Sequence, residues 1–534
     1  MPGTRDHEPL VIEDFQGLWE RGDPESAPSD HFTQADNIQY FHSGIETRDG
    51  LTKYLTNPLP LIKFRRIYNY VTQKGQTLIA LTDGGEIHHI TGPSNLFTTP
   101  ILTIPAMEDF GFVAINGYAY ITPFKTYTDD QGERYQLGLK NEFLYVYKGD
   151  GTPARKAAGN PPILAHGGPL SATVSATAGL TDTGLHLFNV LYETDTGFLT
   201  APGLADMVDD LVFPGNRKID IANIPVSPNT FVTKRHIVAT KEIIDFNGDK
   251  LGYQFFFVPG GTLPNNVATT ITVEFFDSDL ISDASHLIDN FAQIPSGVSL
   301  NTYHSRLILA GEFGLDASFG PDATLVGLPA GVLDNRSLAR VSFAGEPESI
   351  SRVDGLIIAP LDGKALTNCQ EFRDVLYLFK NTRTIAYSDN FDVPASWQEQ
   401  ILDQGIGAPV HGIATVLDTG GVNIDFLFIV DWSGLVLFNG TYSQPELSWK
   451  IEKFWRNLSR NDFNMVQIVN DSLNKKLWIT LPTPLQKTLL HGDYKNGANA
   501  KDIRWAKWNF DVVANTIALI TTDRLIIGTS GVTV

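Results

Sequence analysis

The 534-residue sequence has one cysteine, Cys369, and no long apolar run. A single thiol excludes an intramolecular disulfide and a zinc site made of several cysteines, so we expect Cys369 to be a small core residue. No stretch approaches the roughly 18 apolar residues of a membrane-spanning helix. The N-terminus lacks the basic region and apolar core of a signal peptide. We therefore expect a chain that is made in a cytoplasm and has no membrane anchor.

Catalytic and nucleotide-binding motifs are missing as well. The sequence has no His-Glu-x-x-His, no phosphate-binding Gly-x-x-x-x-Gly-Lys, no Gly-x-Ser-x-Gly and no Gly-x-Gly-x-x-Gly after a strand. His88 and His89 are adjacent in a strand, so they face opposite sides and cannot share a metal ion. The loop with Asp277, Asp279 and Asp283 lacks the glycine and closing glutamate of a helix-loop-helix calcium site. We expect no enzymatic activity, no metal site and no cofactor.

Basic residues are too few for a nucleic-acid-binding protein. Lys and Arg number 40 against 60 Asp and Glu, which gives a formal net charge of −20. The carboxylates are scattered along the chain, and no basic stripe of the kind that binds phosphate backbones is present. Solubility is the simplest reason for such a charge. An acidic wall along which DNA slides without adhering is also compatible with it.

The apolar residues that are present fall into short runs with period-two alternation, which is typical of β-strands. Phe64–Val71, Thr77–Thr82 and Glu86–Ile90 follow one another with short turns between them, including an Asp-Gly hairpin signal. Such hairpins recur at intervals of roughly 40 to 50 residues, the spacing of propeller blades. The sequence therefore predicts an all-β propeller of six or seven blades. An assembly of β-sandwiches is the alternative that this spacing leaves open.

Changes in the residue pattern along the sequence divide the chain into four parts. Residues 1–60 have no sustained period and predict an extended N-terminal arm, with a short helix near residues 29–37. Residues 61–158 predict the first blades. Residues 159–280 contain six or seven short strands and predict a small immunoglobulin-like or fibronectin-like sandwich inserted into the propeller. Residues 281–534 predict the remaining blades.

The arm contains aromatic residues on a segment too irregular to form its own core. Such side chains usually need a surface to cover them, either in the same chain or in a neighbouring one. They are therefore candidate assembly contacts, with packing against the chain's own core as the alternative for each: Trp19, Phe32, Tyr40 and Phe41.

Two segments near the start of the chain read Asp14-Phe-Gln-Gly-Leu and Gly44-Ile-Glu-Thr-Arg-Asp-Gly-Leu. They resemble the start of bacteriophage virion propeller proteins, in particular the tail-nozzle proteins (tail tubular protein B) of short-tailed phages, although Leu18 and Trp19 stand where those proteins commonly have a second glycine. Arg373-Asp-Val-Leu-Tyr-Leu-Phe-Lys and Asp431-Trp-Ser-Gly-Leu-Val-Leu-Phe-Asn-Gly resemble their later blades. None of these segments is catalytic.

The resemblance implies a structural protein of the virion tail that functions in DNA ejection. It implies a homo-oligomer, typically a hexameric ring of propellers, that contacts adaptor and fibre proteins. The ring encloses an exit channel through which DNA passes without specific binding. Two other functions stay open: a receptor- or glycan-binding propeller at the tail tip, and a glycan-cleaving propeller with two carboxylates at the axial mouth, about 5 to 10 Å apart.

Overall fold

The computed structural model describes the chain between residues 16 and 529 with gaps, the longest of which are 56–62, 160–169, 203–214, 244–253, 285–293, 314–334 and 441–446. Strands make up nearly all of the regular structure in these ranges. One short α-helix is described, α1 (Glu452–Arg456). None of the described helices has the length and apolar character needed to cross a bilayer. Short 3-10 turns are formed by Pro24–Ser26, Asp277–Asp279, Asn335–Ser337, Pro394–Ser396, Trp449–Ile451 and Phe463–Met465.

The strands of the arm and of the first two blades come first along the chain. The arm forms a hairpin of β1 (Ile38–Phe41) and β2 (Gly44–Thr47). The first blade contains β3 (Phe64–Thr72), β4 (Gly75–Thr82), β5 (Glu86–Ile90) and β6 (Leu102–Thr103). The second contains β7 (Asp109–Ile115), β8 (Tyr118–Thr128), β9 (Arg134–Gly138), β10 (Tyr145–Tyr147) and β11 (Arg155–Lys156).

A sandwich of two three-stranded antiparallel sheets follows the second blade. Its strands lie inside the range predicted for the insertion, and apolar side chains such as Phe188 and Ile219 fill the space between the sheets. One sheet has the order β12-β14-β17 and the other β13-β15-β16. The strands are β12 (Ser171–Thr181), β13 (Phe188–Thr194), β14 (Arg217–Ala222), β15 (Val232–Thr240), β16 (Phe255–Leu263) and β17 (Ile271–Val273).

The propeller then continues through five further sheets. The third blade contains β18 (Ser299–Tyr303), β19 (Arg306–Ala310), β20 (Leu338–Phe343), β21 (Glu346–Ile350) and β22 (Leu356–Ile357), and the fourth contains β23 (Leu366–Phe372), β24 (Val375–Lys380), β25 (Arg383–Ser388) and β26 (Gln398–Asp403). The fifth contains β27 (Ile413–Leu417), β28 (Ile424–Val430) and β29 (Leu435–Phe438), and the sixth contains β30 (Ile468–Asp471), β31 (Lys476–Thr480), β32 (Thr488–Asp493) and β33 (Arg504–Asn509). The seventh is a pair, β34 (Ala514–Thr521) and β35 (Arg524–Thr529).

The blades stack face to face, so a central strand is buried on both of its sides. In β24, Leu376 and Leu378 pack into the core shared with the third blade. The alternate residues Tyr377 and Phe379 pack into the core shared with the fifth blade. Successive side chains of a strand point to opposite faces, so a continuous apolar run serves two interfaces. The predicted all-β propeller with an inserted sandwich is confirmed. Among the described residues, seven innermost strands line its centre: β3, β7, β18, β23, β27, β30 and β34.

The arm packs along the outer edge of the sixth blade. Leu18 N donates to Trp505 O at 2.9 Å, and Asn37 N donates to Lys507 O at 2.7 Å. Gly17 has a φ of +90°, and a Cβ there would lie 2.7 Å from Trp505 N, so this close approach requires glycine. The helix predicted near residues 29–37 is wrong for the described residues 31–37. Phe32 N donates to Gly17 O within the arm, and Asn37 N donates to Lys507 O of β33, so these residues are extended and not helical.

Candidate functional site at the channel entrance

A central channel of about 440 Å³ runs between the seven innermost strands. Pockets of about 300 to 1,000 Å³ suit small molecules, so this channel is far too small for duplex DNA. Its polar lining consists of amide, hydroxyl and imidazole groups, such as Asn69, Asn301 and His411. Within the described part of the chain, the lining includes no Asp or Glu. The paired carboxylates that a glycan-cleaving propeller needs are therefore not found in this lining.

A buried ion pair lies where the innermost strands begin. Arg66 Nε lies 3.0 Å from Asp109 Oδ1, and Arg66 Nη2 lies 2.5 Å from Asp109 Oδ2. Both side chains are almost completely enclosed. Burial alone would raise the pKa of Asp109, but the charge of Arg66 and the contact with His411 hold it well below its usual value. The pair thus fastens the first blade to the second with Asp109 fully ionised at neutral pH.

His411 connects this pair to the fifth blade. Its Nε2 lies 3.1 Å from Asp109 Oδ2, and its Nδ1 lies 3.0 Å from the Tyr68 hydroxyl. Burial, followed by the charge of Arg66, lowers the pKa of His411, so the imidazole is neutral at physiological pH. Because a carboxylate only accepts hydrogen bonds, Nε2 carries the proton and Nδ1 is an acceptor facing Tyr68.

Gln467 extends the same set of contacts to the sixth and seventh blades. Its Oε1 accepts from Arg66 Nη1 at 2.8 Å, from Thr516 Oγ1 at 2.9 Å and from Ile517 N at 3.1 Å. Its Nε2 donates to Ile517 O at 2.8 Å. We call Arg66, Asp109, His411 and Gln467 the ring-closing network. It joins blades one, two, five, six and seven at the point where the propeller's first and last strands meet.

The chemistry of the ring-closing network favours a structural role. An Asp-His-Tyr series could activate a hydroxyl, but here the carboxylate is already paired with Arg66. Burial also raises the pKa of the Tyr68 hydroxyl, with Asp109 adding to the effect, so the phenolate is disfavoured. Cys369, which also lines the channel, is buried, and burial raises the pKa of its thiol to about 12. Neither group is poised as a nucleophile.

A second buried set of ion pairs joins the second blade to the third blade and to the inserted sandwich. Arg155 Nη1 and Nη2 donate to the two oxygens of Glu348 in the third blade, at 2.8 and 2.9 Å. Arg155 Nε donates to Asp195 Oδ1 of the sandwich at 3.0 Å, and Thr196 Oγ1 donates to Glu348 Oε1 at 2.6 Å. Burial alone would lower the pKa of Arg155, but Glu348 and Asp195 raise it. This two-sided pairing fixes the sandwich against the blades.

The four aromatic residues predicted as assembly contacts lie on the arm and not at the channel. Tyr40 is fully buried, and its hydroxyl donates to Trp505 O at 2.8 Å. Phe32 packs partly buried against the core of the fifth and sixth blades. Trp19 is half-buried and meets the ring of Trp449 edge-on at 5.3 Å. Phe41 ends β1, and its side chain lies outside the described residues. Their assembly role stays a prediction.

The sequence did not point to the ring-closing network, but it did place His88 and His89 on opposite faces of their strand. His89 bonds Tyr147 and Thr77, while His88 faces Glu86 on the other side. Asp277 and Asp279 accept backbone N–H groups of nearby turns. The one signal that could have found the network is positional: Asp109, His411 and Gln467 stand at or just before the start of an apolar inner strand.

Comparisons with known proteins assign no family to this chain. No family model matches the sequence, and the search of curated proteins found no match. Kluyveromyces lactis Hsv2 is 11% identical, with 84% of this chain and 98% of that chain covered and a TM-score of 0.29. BBS1N, solved in complex with ARL6DN, is 10% identical over 74% and 82%, with a TM-score of 0.24. Apo AztD from Citrobacter koseri is 11% identical over 66% and 100%, with a TM-score of 0.20. The propeller assignment rests on the strand topology.

Proposed function

We propose that this chain is a structural subunit of a bacteriophage tail, most specifically a nozzle protein that forms a ring around the DNA exit channel. The work of such a subunit is mechanical: it holds its shape, contacts an adaptor above and fibres beside it, and transmits no chemical step. The proposal starts from the resemblance of the arm and blade segments to nozzle proteins. It does not require catalytic groups or a cofactor.

The observation that carries the proposal is the rigid union of the sandwich with the propeller. A surface ion pair contributes about 0 to 1 kcal/mol, whereas breaking a buried one costs about 3 to 5 kcal/mol. The pair of Arg155, in the second blade, and Asp195, in the sandwich, is of the second kind, since the two side chains are only 6% and 14% exposed. A hinge between the two modules would suit a regulated binding protein, but a fixed junction suits a scaffold that bears load.

Charge and size determine where DNA would pass. The channel inside the propeller is only about 440 Å³, so duplex DNA would pass between subunits, through the centre of the ring. A net charge of −20 suits a wall facing that path, because like charges keep the phosphate backbone from adhering. A receptor-binding propeller would be favoured by a cluster of exposed Trp and Tyr. Among the described residues, no Trp or Tyr side chain is highly exposed.

The decisive experiment locates the protein in a particle. An affinity tag on the full-length chain, decorated with gold, would be imaged by electron microscopy on purified virions. We expect label at the tail immediately below the capsid, and a released ring whose mass is about six times the 58.7 kDa chain, as the resemblance implies. Label at fibre tips would support the receptor-binding alternative. Particles that carry no label, or a chain that stays monomeric in every preparation, would overturn the nozzle proposal.

A further inference from the structure

Two neighbouring hairpin turns bring a histidine and two carboxylates together on one face of the propeller. His304 lies in the turn between β18 and β19 of the third blade. Glu371 is near the end of β23, and Asp374 lies in the turn between β23 and β24 of the fourth blade. Both turns follow the C-terminal ends of inner strands, whereas the ring-closing network lies at the N-terminal ends. The cluster is therefore separate from the channel entrance.

The donor atoms of the three side chains are close enough to share one ion. One nitrogen of His304 and one carboxylate oxygen each of Glu371 and Asp374 all lie within 4.8 Å of one another. His304 Nε2 is 3.9 Å from Asp374 Oδ1. Ligands about 2.1 Å from a tetrahedral ion stand about 3.4 Å apart, so the atoms need to move by little more than 1 Å. The Asp374 side chain, 91% exposed, has room to rotate by that amount.

A buried carboxylate lies behind the histidine and is independent of the three donors. Asp389 Oδ2 is 3.6 Å from His304 Nδ1, and the Asp389 side chain is only 3% exposed. A carboxylate beside one ring nitrogen of a histidine helps to orient the other nitrogen toward a metal ion. Arg306, whose Nε is 3.8 Å from the same oxygen, partly neutralises Asp389. Nδ1 thus faces the protein interior, and Nε2 faces Asp374.

Tyr303 holds the two turns in register. Its hydroxyl donates to Asp374 O at 3.1 Å and accepts from Asp389 N at 3.0 Å. Its ring is fully buried and stacks under the His304 ring, with centroids 4.2 Å apart and planes at 18°. A site built on such a support is preorganised, since the ligand-bearing turns do not have to be ordered when an ion binds.

We propose that His304, Glu371 and Asp374 bind one divalent transition-metal ion of the Zn²⁺ or Mn²⁺ class, which cross-links the third and fourth blades. One imidazole and two carboxylates suit these ions, with water completing the coordination. Ca²⁺ takes six to eight oxygen ligands and is less suited to a set that includes imidazole. The ion would neutralise the like charges of Glu371 and Asp374. It would also link the turns of two neighbouring hairpins, whose positions are already set by the packing of the two blades.

The test uses the full chain after treatment with a chelator. Zn²⁺ would be titrated into it by isothermal calorimetry, and its thermal unfolding would be followed with and without Zn²⁺. We expect one tight ion per chain and a higher midpoint with Zn²⁺. His304→Ala and Glu371→Gln should abolish the tight binding. Asp389→Asn should weaken it about 10- to 100-fold, as removal of an orienting partner does.

Two variants keep the result interpretable. Asp374→Asn alters a side chain that is 91% exposed, so it should fold normally and still lose affinity. His236→Ala is the matched control, because His236 lies 2.6 Å from a carboxylate oxygen of Glu193 but belongs to no three-donor cluster among the described residues. It should bind Zn²⁺ as the unaltered chain does. The proposal would be overturned if the unaltered chain did not bind Zn²⁺ stoichiometrically. It would also be overturned if the folded Asp374→Asn and His304→Ala variants bound Zn²⁺ as tightly as the unaltered chain does.

Discussion

Asp109→Asn is the substitution that most directly tests the ring-closing network. The Asp109 carboxylate lies within hydrogen-bond distance of Arg66 Nε, Arg66 Nη2 and His411 Nε2, and it also accepts from the backbone N of Phe110. Asparagine has the same shape but only one acceptor oxygen, and its amide group is a donor. At least one buried donor would therefore face another donor, and Arg66 would lose its counter-charge.

The expected magnitude follows from that loss. Breaking a buried ion pair by removing one partner costs about 3 to 5 kcal/mol, because the remaining charge is left without compensation. Glu133→Gln is the control: Glu133 contacts Lys364 at 2.7 Å, but both side chains are well exposed. Exposed pairs contribute about 0 to 1 kcal/mol. We therefore expect Asp109→Asn to lower the free energy of unfolding by several times the effect of Glu133→Gln.

Urea unfolding followed by tryptophan fluorescence would measure this loss of stability in the propeller. No tryptophan occurs between residues 20 and 396, so the signal comes from the arm and the later blades and not from the sandwich. Amide hydrogen exchange adds the location: in Asp109→Asn, exchange should accelerate in β3 and β34, where the ring closes, and stay unchanged in β13 and β15. The eight tryptophans are Trp19, Trp397, Trp432, Trp449, Trp455, Trp478, Trp505 and Trp508.

The pH dependence gives a second readout of the same substitution. Arg66 and His411 hold the pKa of Asp109 below its unfolded value of about 3.9. The stabilisation is therefore fully present above that pH and is lost as the pH falls through the acid range. In Asp109→Asn, the free energy of unfolding should depend less on pH in this acid range. If the variant unfolds at the same urea concentration as Glu133→Gln, and its stability still falls in acid as that of the unaltered chain does, the ring is closed by something other than this network.

Three other outcomes are expected. Burial lowers the pKa of His491, whose ring contacts those of Trp478 and Trp508, to about 3. Stability should therefore fall by up to about 1.4 kcal/mol per pH unit below pH 6.5, and a thermal-unfolding series should show a weaker pH dependence for His491→Gln. Cys369→Ser should change stability by less than about 1 kcal/mol, since the thiol is buried 3.4 Å from Ser299 Oγ, and loss of assembly in this variant alone would indicate a missed role. Deleting residues 1–50 should lower the thermal midpoint and prevent incorporation into particles, and normal incorporation would exclude the arm from assembly.

The hairpins could be predicted from the sequence because their partners are close along the chain. In the segment from Asp425 to Gly440, an apolar run, a Trp-Ser-Gly turn and a second apolar run become β28 and β29, paired from Leu427–Phe438 to Val430–Leu435. Alternation, turn residues and length all act locally here. The ring of seven innermost strands arises from repeats of that local pattern, so the fold class could be predicted from the sequence alone.

The ring-closing network could not be predicted, because its members meet only after the ring closes. Arg66 is 43 positions from Asp109 and 401 positions from Gln467, and His411 is 302 positions from Asp109. No local pattern links residues at such separations. In the sequence, each of them resembles an ordinary polar residue at the edge of a strand. Only the closed propeller places them within hydrogen-bond distance.

The arm shows the limit of inferring partners from aromatic residues. Tyr40 was a candidate contact because an irregular segment cannot bury it alone, yet the sixth blade buries it completely and its hydroxyl bonds Trp505 O. Trp19 and Phe32 are only partly covered, so a contact with a neighbouring chain would use these side chains while Tyr40 anchors the arm. If deleting the arm prevents assembly, the cause is therefore either the loss of the anchor on the sixth blade or the loss of a contact with a neighbouring chain. Trp19→Ala, which leaves that anchor in place, isolates the contact itself.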